Sequence, residues 1–346
     1  MTTRTMSAAV FRGPGRVQVE RRPLPGLAAA ADVVVAVEAC GLCGTDLHIL
    51  EEPPGHPATP GVVLGHEFVG RVAELGPEAL GVTEGSRVAV DPNLACGSCG
   101  ACQRGHLSHC TQLRSLGISR DGGLAEWVSV PARACHPIGD RIPSGTAALT
   151  EPLACVLSGV RKAAPMPGEV AMIFGAGAIG LLFLAVLRAG GVRCVVAEPH
   201  RARRETAGRM GAVAVVDPAA DELGAVLARW GPGGADLAVD AVGTQLVAAL
   251  AHTRPRGRVL LFGMDSRARA EVAQYDCTRR EIRILGAYVG DFTFPPAVHL
   301  LRSGLLDLTP IVSHLLPLDR LPEALAELRA GTAVKVVLTV GPSIER

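Results

Sequence analysis

Residues 170–180 read VAMIFGAGAIG, an apolar run that passes directly into the glycine pattern GxGxxG. The first five residues have the length and composition of a buried strand. The residues that follow, Ile179–Ala189, have the apolar spacing of a helix. A strand, a glycine turn and a helix in this order predict a dinucleotide-binding unit, and a purely structural glycine turn is the alternative.

Each position of the glycine pattern has a physical role in such a unit. Gly175 permits the tight turn, Gly177 lets the backbone approach a pyrophosphate, and Gly180 allows close packing of helix on strand. The N–H groups at the start of the helix, which include those of Ala178 and Ile179, would face the phosphates. These five residues are therefore candidate cofactor-binding residues.

Strand and helix patterns alternate on both sides of this stretch, from about Val156 to Val289. Predicted strands are Val170–Phe174, Cys194–Ala197, Ala214–Val216, Leu237–Ala241, Val259–Phe262 and Ile282–Val289. Predicted helices are Ile179–Ala189, Arg201–Met210, Leu223–Arg229 and Leu246–His252. This alternation is typical of a doubly wound parallel sheet of the Rossmann type, and we assign it residues 156–290.

The end of the second predicted strand decides which cofactor fits. Glu198 lies about 20 residues after the glycine turn, where an acidic residue binds the ribose hydroxyls of NAD. Arg201, Arg203 and Arg204 could instead hold the 2′-phosphate of NADP, or could be solvated residues of the first helical turn. We favour NAD, with Arg203 and Val242 as further cofactor-binding candidates.

The remainder of the chain has a different pattern. Before residue 155, short β-like runs such as Asp32–Glu38, Phe68–Leu75 and Arg87–Val90 alternate with turns. The tail carries a helix pattern at Leu321–Arg329 and a strand pattern at Val334–Val340. We therefore predict an α/β protein in which residues 1–155 and 291–346 form a β-rich catalytic domain.

Four cysteines lie within fifteen residues of each other, in a lobe that we bound at residues 93–112. They are Cys96, Cys99, Cys102 and Cys110, separated by glycines and polar residues. Four thiolates close a tetrahedral structural zinc site, whereas disulfides or free thiols are the alternatives. In a reducing compartment the spacing favours zinc.

A second set of metal ligands is of the catalytic kind, with about three protein ligands and an open position. Cys43 and His66 fit that pattern, with a carboxylate as the third ligand. His66 considered alone is more typical of a structural histidine, and its combination with Cys43 and the glycine turn favours the metal.

Six stretches together resemble the zinc-containing medium-chain alcohol dehydrogenases, in family order and over nearly the whole chain. They are GLCGTDLH (41–48), GHEFVG (65–70), CGSCGACQRGHLSHC (96–110), GGLAEWV (122–128), EPLAC (151–155) and GAGAIG (175–180). The resemblance implies a GroES-like catalytic domain, a Rossmann domain, NAD and two zinc ions per chain.

The resemblance also assigns roles to single residues. It implies that Cys43 and His66 bind the catalytic zinc, with Glu67 as a ligand or near-ligand. Glu151 stands where the ethanol-type enzymes have a second cysteine. This departure resembles the polyol (sorbitol-like), butanediol and threonine dehydrogenase branch. The alternative is that Glu151 only caps the helix that begins at Pro152.

The remaining roles concern the proton and the phosphates. Asp46 resembles a carboxylate that accepts a hydrogen bond from the His66 ring. Thr45 resembles the hydroxyl that contacts the substrate oxygen, and His48 the outer end of a proton relay. Lys335 resembles the basic residue near the pyrophosphate.

These assignments imply a zinc-dependent dehydrogenase that oxidises a secondary alcohol of a polyol, cyclitol or diol to a ketone and reduces NAD. A threonine dehydrogenase or an NADP-linked aldehyde or ketone reductase would share every motif. A non-catalytic nucleotide-binding structural protein is the remote alternative, against which the retained ligands speak.

Composition limits the partners. The formal net charge of the 346 residues is +1 without a basic block, which argues against nucleic acid. Neither a signal-peptide core nor an apolar stretch of membrane-spanning length is visible, so we expect a cytoplasmic protein. The apolar segment Ile282–Val289 would form a sheet edge that pairs between subunits, which predicts a homodimer or homotetramer.

Overall fold

The computed structural model describes residues 4–341, which divide into two compact units. Unit 1 contains the chain up to Ala154, Asp291–Gly304 and the chain from Val312 onwards. Unit 2 contains Cys155–Gly290 and Leu305–Ile311. The sequence analysis places all of 291–346 in the catalytic domain. Leu305–Ile311 belongs to unit 2 instead. Its 3₁₀ turn, Thr309–Ile311, packs on the helix Ala178–Ala189, which follows the glycine turn.

The strands of the described residues are, in chain order, β1 (Thr5–Gly13), β2 (Arg16–Pro23), β3 (Asp32–Gly41), β4 (Glu67–Leu75), β5 (Arg87–Val90), β6 (Asn93–Leu94), β7 (Arg114–Ser115), β8 (Trp127–Pro131), β9 (Cys135–Pro137), β10 (Val170–Phe174), β11 (Arg193–Ala197), β12 (Ala214–Val216), β13 (Ala235–Asp240), β14 (Thr253–Leu261), β15 (Arg283–Gly286), β16 (His314–Pro317) and β17 (Val336–Thr339).

The α-helices are α1 (Gly44–Ile49), α2 (Gly100–Gln103), α3 (Ser144–Ala147), α4 (Thr150–Ala163), α5 (Ala178–Ala189), α6 (Arg201–Arg209), α7 (Leu223–Ala228), α8 (Leu246–His252), α9 (Gln274–Arg279), α10 (Phe294–Ser303) and α11 (Leu321–Ala330). Short 3₁₀ turns occupy Leu107–His109, Ala132–Ala134, Thr309–Ile311 and Leu318–Arg320. Within residues 4–341, no helix is both long enough and apolar enough to span a bilayer.

Unit 2 is built on a six-stranded parallel sheet in the order β12-β11-β10-β13-β14-β15. All five residues of β10 are buried, as an apolar run without alternation predicts for a strand covered on both faces. The strand order reverses at β10, and an α/β sheet binds its ligand at such a point. The predicted doubly wound sheet is confirmed.

The last strand of this sheet is shorter than predicted. The sequence pattern suggests Ile282–Val289, whereas β15 covers Arg283–Gly286. Val289 has a φ of +39°, which an extended strand does not allow. The chain therefore leaves the sheet before Val289 and crosses into unit 1 at Asp291.

Unit 1 contains a seven-stranded sheet in the order β16-β17-β3-β4-β5-β9, with β8 also paired to β3. The hairpin β1–β2 is a separate two-stranded sheet, bridged from Ala8 to Ala125 and from Val10 to Val63 in the loops of unit 1. The core is mostly Val, Ala and Leu, as the low aromatic content requires. The C-terminal strand β17 pairs antiparallel with β3, which brings the tail back to the first domain.

Candidate functional site

Three predicted metal ligands meet at one end of the antiparallel pair β3 and β4. Gly41 at the end of β3 lies opposite Glu67 at the start of β4, so the residues after one strand meet those before the other. The ligand atoms of Cys43, His66 and Glu67 all lie within 4.8 Å of one another. His66 and Glu67 are almost fully buried.

The backbone at Gly65 makes this meeting possible. Its φ is +90°, a conformation that residues with a Cβ rarely adopt. A Cβ there would also lie 2.6 Å from both the sulfur of Cys40 and a side-chain carbon of Leu124. The conformation and the lack of space both require glycine, and the resulting turn presents the His66 ring inside unit 1.

Asp46 supports the ligands differently from the sequence prediction. Its Oδ2 accepts a hydrogen bond of 2.9 Å from the backbone N–H of Cys43. Its Oδ1 lies 3.8 Å from Nδ1 of His66, which exceeds hydrogen-bond distance. The contact is therefore electrostatic, and Asp46 fixes the backbone of one ligand while its charge faces the other.

Lys335 has a partner that the sequence analysis did not name. Its ammonium forms an ion pair with Oε2 of Glu67, and both side chains are at most 4% exposed. Burial alone would lower the pKa of Lys335, but Glu67, together with Cys43 and Asp46, outweighs burial and raises that pKa. Any phosphate that Lys335 binds would compete with Glu67, so contact with the pyrophosphate stays a prediction.

The charges of this group fit a divalent cation. The buried carboxylates of Asp46 and Glu67 face one ammonium, that of Lys335, and Cys43 would add a further negative charge on binding a metal as thiolate. Nδ1 of His66 and Oδ1 of Asp46 have no hydrogen-bond partner within residues 4–341. One sulfur, one ring nitrogen and one carboxylate are ligands that zinc accepts.

The pKa of His66 points the same way. Burial lowers it, but the carboxylate of Asp46 and the thiolate of Cys43 outweigh burial and raise it well above its ordinary value. The surroundings of the ring therefore favour a positive charge. A bound metal ion would supply that charge in place of the proton.

The two residues of the predicted proton relay lie on α1. The hydroxyl oxygen of Thr45 is 3.7 Å from the sulfur of Cys43, which places it beside the metal ligands. His48 follows three residues later and lies on the same face of the helix. Its Nδ1 is 2.8 Å from Oε1 of Glu51, a contact that sequence reasoning missed.

Glu151 lies in the first turn of α4 and is half-buried. It is not a member of the three-residue group at Cys43, His66 and Glu67. The preceding residue, Thr150, donates a hydrogen bond of 2.7 Å to the carbonyl of Ala147. The role of Glu151 as a zinc ligand stays a prediction.

The four cysteines of the lobe form a second ligand group, with sulfur atoms within 4.8 Å of one another. Sulfur–sulfur distances are 3.5 Å for Cys99–Cys102, 3.9 Å for Cys99–Cys110 and 4.0 Å for Cys96–Cys102. A tetrahedron with zinc–sulfur bonds of about 2.3 Å has edges of about 3.8 Å. All ten cysteines lie in the described residues and none is in a disulfide.

Backbone N–H groups prepare these sulfurs for a metal. Those of Cys102 and Thr111 lower the pKa of Cys99 to about 5. The N–H of Cys96 and that of Gln112 both donate to the sulfur of Cys110, at 3.3 Å. Such donors stabilise thiolates, which are the form that binds zinc.

Asp291 fastens this lobe to the rest of unit 1, which sequence reasoning also missed. Its Oδ1 accepts the N–H of Ser108 at 2.7 Å, and its Oδ2 accepts the Ser108 hydroxyl at 3.2 Å. The two residues are 183 positions apart in the sequence. A single aspartate in a loop carries no sequence signal for such a contact.

In unit 2, the glycine loop has the predicted geometry. Gly175 has a φ of +96°, and Gly177 is the residue before α5. A Cβ at Gly180 would overlap the carbonyl oxygen of Gly175, so helix and strand pack too closely for any side chain. A Cβ at Gly177 would meet no close neighbour, because the nearest atom is a guanidinium nitrogen of Arg203 at 4.0 Å. Val242 lies beside Gly175.

The three arginines near Glu198 are in different environments. Arg201 pairs with Glu205 on the exposed face of α6. Arg204 pairs with Asp217 and donates to the carbonyl of Glu198. Arg203 is therefore the arginine that reaches the glycine loop.

Glu198 itself is buried and holds the loop. Its Oε2 accepts the N–H of Ala176 at 2.7 Å and its Oε1 that of His200 at 2.9 Å. Asp240 does the same after β13, where it accepts the N–H groups of Val242, Gly243 and Gln245. Both acids therefore fix the loops at the carboxyl edge of the sheet.

The chain belongs to the zinc-binding medium-chain dehydrogenase family. Residues 29–140 match the alcohol dehydrogenase GroES-like domain, and residues 178–303 match the zinc-binding dehydrogenase domain. The chain is 34% identical over 324 residues to a D-altritol 5-dehydrogenase of Agrobacterium fabrum, covering 91% of this chain and 94% of that protein.

The chain is also similar to two proteins that are named for other properties. The chain is 34% identical to an L-threonine 3-dehydrogenase of Pyrococcus horikoshii, covering 91% of this chain and 92% of that protein. A zinc-binding dehydrogenase of Sinorhizobium meliloti, whose crystal structure contains NADP, superposes with a TM-score of 0.91 at 33% identity. That match covers 97% of this chain and 99% of the other.

The ion pair of Lys335 and Glu67 predicts a large loss of stability in Lys335→Met. The substitution leaves a buried carboxylate without a cation, which costs about 3–5 kcal/mol. Lys162→Met is the matched control, because Lys162 is the other lysine of the chain and is exposed. We expect its effect to stay within about 0.5 kcal/mol.

Urea unfolding of the zinc-free proteins measures both effects. Adding Glu67→Gln to Lys335→Met should restore part of the lost stability, since the uncompensated charge is removed. Equal unfolding midpoints for Lys335→Met and Lys162→Met would show that the pair does not stabilise the protein.

Proposed function

We propose that the chain is a zinc-dependent dehydrogenase that oxidises a secondary alcohol of a polyol, cyclitol or diol to the ketone, reversibly, with NAD. The observation that carries this proposal is the group of Cys43, His66 and Glu67 in unit 1, of which His66 and Glu67 are buried. The glycine loop of unit 2 supplies the second requirement, a place for the dinucleotide.

Two zinc ions per chain are part of the proposal. Cys96, Cys99, Cys102 and Cys110 would hold a structural ion, and Cys43 and His66 with carboxylate ligands the catalytic one. Zinc at the catalytic group would act as a Lewis acid that lowers the pKa of the substrate hydroxyl. The chain's own residues then bind and orient the alcohol, and they move its proton away.

The proton has a route along α1. The Thr45 hydroxyl, beside Cys43, would accept a hydrogen bond from the substrate hydroxyl. The half-buried ring of His48 would receive the proton at the outer end and release it to solvent. The hydride passes to the cofactor, whose phosphates Gly177, Ala178 and Ile179 would bind.

A polyol-type substrate is supported by the A. fabrum relative, which is named for its action on D-altritol. L-Threonine is the second candidate, because the P. horikoshii relative is equally similar and is named for it. Both compounds carry a secondary alcohol next to a polar group. An NADP-linked aldehyde or ketone reductase shares the same site residues.

NAD is the proposed cofactor because Glu198 is buried beneath the glycine loop, where its negative charge disfavours a 2′-phosphate. Arg203 is the residue that would favour NADP, and the S. meliloti structure contains NADP. Val242 would border the cofactor beside Gly175. Lys335 would reach the pyrophosphate only if its pair with Glu67 opened.

We further propose a cytoplasmic homodimer or homotetramer. The edge strand β15 is largely exposed, with Ile284 41% exposed, and Tyr288, two residues after the strand ends, is 39% exposed. An exposed strand edge with apolar side chains favours pairing with a second copy. A light-scattering mass equal to that of one 35.8 kDa chain would contradict this.

The substrate proposal predicts the outcome of an activity panel. Zinc-loaded protein is offered polyols, cyclitols, vicinal diols, L-threonine and primary alcohols, each with NAD and with NADP, and reduced cofactor is followed by absorbance. We expect a polyol, cyclitol or diol to have the highest kcat/KM, with NAD preferred.

The other outcomes separate the alternatives. L-Threonine as the best substrate supports the second candidate, and better activity with NADP contradicts the role of Glu198. Zinc-loaded protein that reduces neither cofactor with any alcohol, and oxidises neither with the matching ketones and aldehydes, is not a dehydrogenase of these classes.

Glu151 is proposed as a further ligand of the catalytic zinc, alone or together with Glu67. A carboxylate makes the site harder than a second thiolate would, which can suit a substrate with two neighbouring hydroxyls. Glu151→Ala should then lose most activity and weaken the catalytic zinc, with little change in thermal stability. Glu222→Ala, at an exposed helix start in unit 2, is the control. Full turnover of Glu151→Ala with zinc bound would show that Glu151 is not a zinc ligand.

A further inference from the structure

His48 and Glu51 form a pair that none of the roles described above explains. Nδ1 of His48 lies 2.8 Å from Oε1 of Glu51, a full hydrogen bond between an imidazole and a carboxylate. His48 lies in the last turn of α1, which ends at Ile49, and Glu51 lies just beyond that end. The pair therefore sits at the outer end of the proposed proton route.

The loop after α1 is folded around this pair. The carbonyl of His48 accepts the N–H of Gly55 at 2.9 Å, so the chain returns to the helix end. A Cβ at Gly55 would lie 2.9 Å from Oε2 of Glu51 and 3.4 Å from Cβ of His48. Any larger residue at 55 would press on the carboxylate. The absence of a side chain at Gly55 therefore leaves room for the contact between the Glu51 carboxylate and the His48 ring.

The contact decides which ring nitrogen carries the proton. A carboxylate only accepts hydrogen bonds, so Nδ1 of His48 must donate and must carry the hydrogen. The neutral ring then has its lone pair on Nε2, which can take up a proton. With the opposite tautomer, Nε2 would carry hydrogen and could not accept one.

Energetics argue that the pair is not there for stability. The side chains of His48 and Glu51 are 37% and 30% exposed, so solvent screens their attraction. Ion pairs of this exposure contribute little to folding. The same exposure lets the Nε2 proton reach water, which a relay end requires.

The other charged groups nearby do not replace Glu51. His56, from the same loop, is within electrostatic reach of His48, His66 and Asp46. Burial lowers the pKa of His56, so that ring is neutral at neutral pH. Asp46 is buried on the opposite side, against Cys43 and His66.

We propose that Glu51 is a positioning residue for proton transfer: it holds His48 with hydrogen on Nδ1 so that Nε2 accepts the substrate proton. When Nε2 is protonated, the ring carries one positive charge beside the Glu51 carboxylate. Loss of the same Nε2 hydrogen to water restores the neutral ring, so one proton enters and one leaves. The proposal rests on the proposed dehydrogenase function.

Glu51→Gln tests the proposal through the rate of alcohol oxidation. Glutamine has the size of glutamate but no charge, and it can turn and offer its NH₂ group to the ring, so it no longer holds hydrogen on Nδ1 of His48. We expect kcat to fall roughly threefold to tenfold, because part of the protein then has the ring nitrogen Nε2 blocked by hydrogen.

Two controls separate positioning from a general effect on the loop. Glu52→Gln removes the neighbouring charge, which lies against Gly15 rather than His48, and should leave kcat unchanged. In a His48→Gln background, Glu51→Gln should change kcat/KM by less than about twofold, because its effect passes through the ring. An undiminished effect there would overturn the proposal.

Nitrogen-15 NMR of the histidine rings gives a readout that does not need activity. The His48 signal is identified as the one missing from His48→Gln. We expect hydrogen on Nδ1 in the wild type and a mixture of tautomers in Glu51→Gln. Hydrogen on Nε2 in the wild type would refute the positioning role even in an active enzyme. The expected tautomer in a protein without dehydrogenase activity would instead refute the proposed function alone.

Discussion

The buried carboxylates of Asp46 and Glu67, beside the sulfur of Cys43, are the constraint on which the organisation of unit 1 depends. Charges inside an apolar core are stable only with partners of opposite charge. Lys335 is one such partner, and it lies immediately before β17, the last strand of the described residues. Pairing of β17 with β3 places that lysine beside Glu67, so the return of the tail to the first domain also serves the metal group.

A cation is still required after Lys335 has been counted, and this links structure to chemistry. A divalent ion would remove the remaining charge, and a site with few protein ligands keeps a position open for substrate. Although burial lowers the pKa of His66, the same negative groups raise it above its ordinary value. The four-cysteine lobe would have a different role. Four sulfur ligands leave no position open for a substrate, so a metal ion bound there would only stabilise the fold.

The fold of unit 2 was predictable because its signals are local. Consecutive buried residues in β10 and the glycines at 175, 177 and 180 follow from strand burial and from backbone space. The two cysteine and histidine groups were predictable for a similar reason, since ligand types at fixed spacing carry their own chemistry.

The residues that sequence reasoning missed act over long distances or through geometry. The partners of Lys335 and of Ser108 come from remote parts of the chain, so spacing gives no sign of them.

The predicted hydrogen bond from His66 to Asp46 is wrong because the separation is 3.8 Å, and the aspartate binds the Cys43 backbone instead. Helix α10 was not predicted, and α4 was considered only as a helix that Glu151 would cap; both have proline in their first turns, where it is tolerated. The strand ending at Gly286 was overextended because nothing in the sequence marks Val289 as left-handed.

The central claim is that both ligand groups hold zinc, and X-ray absorption at the zinc edge of the purified protein, with the metal counted, tests it most directly. The account predicts two zinc ions per chain. One should have four sulfur ligands at about 2.3 Å, and the other one sulfur with nitrogen and oxygen at about 2.0–2.2 Å. An average of about 2.5 sulfurs per zinc follows from these two sites. Active protein with one zinc or none, or with only four-sulfur zinc, would contradict the account.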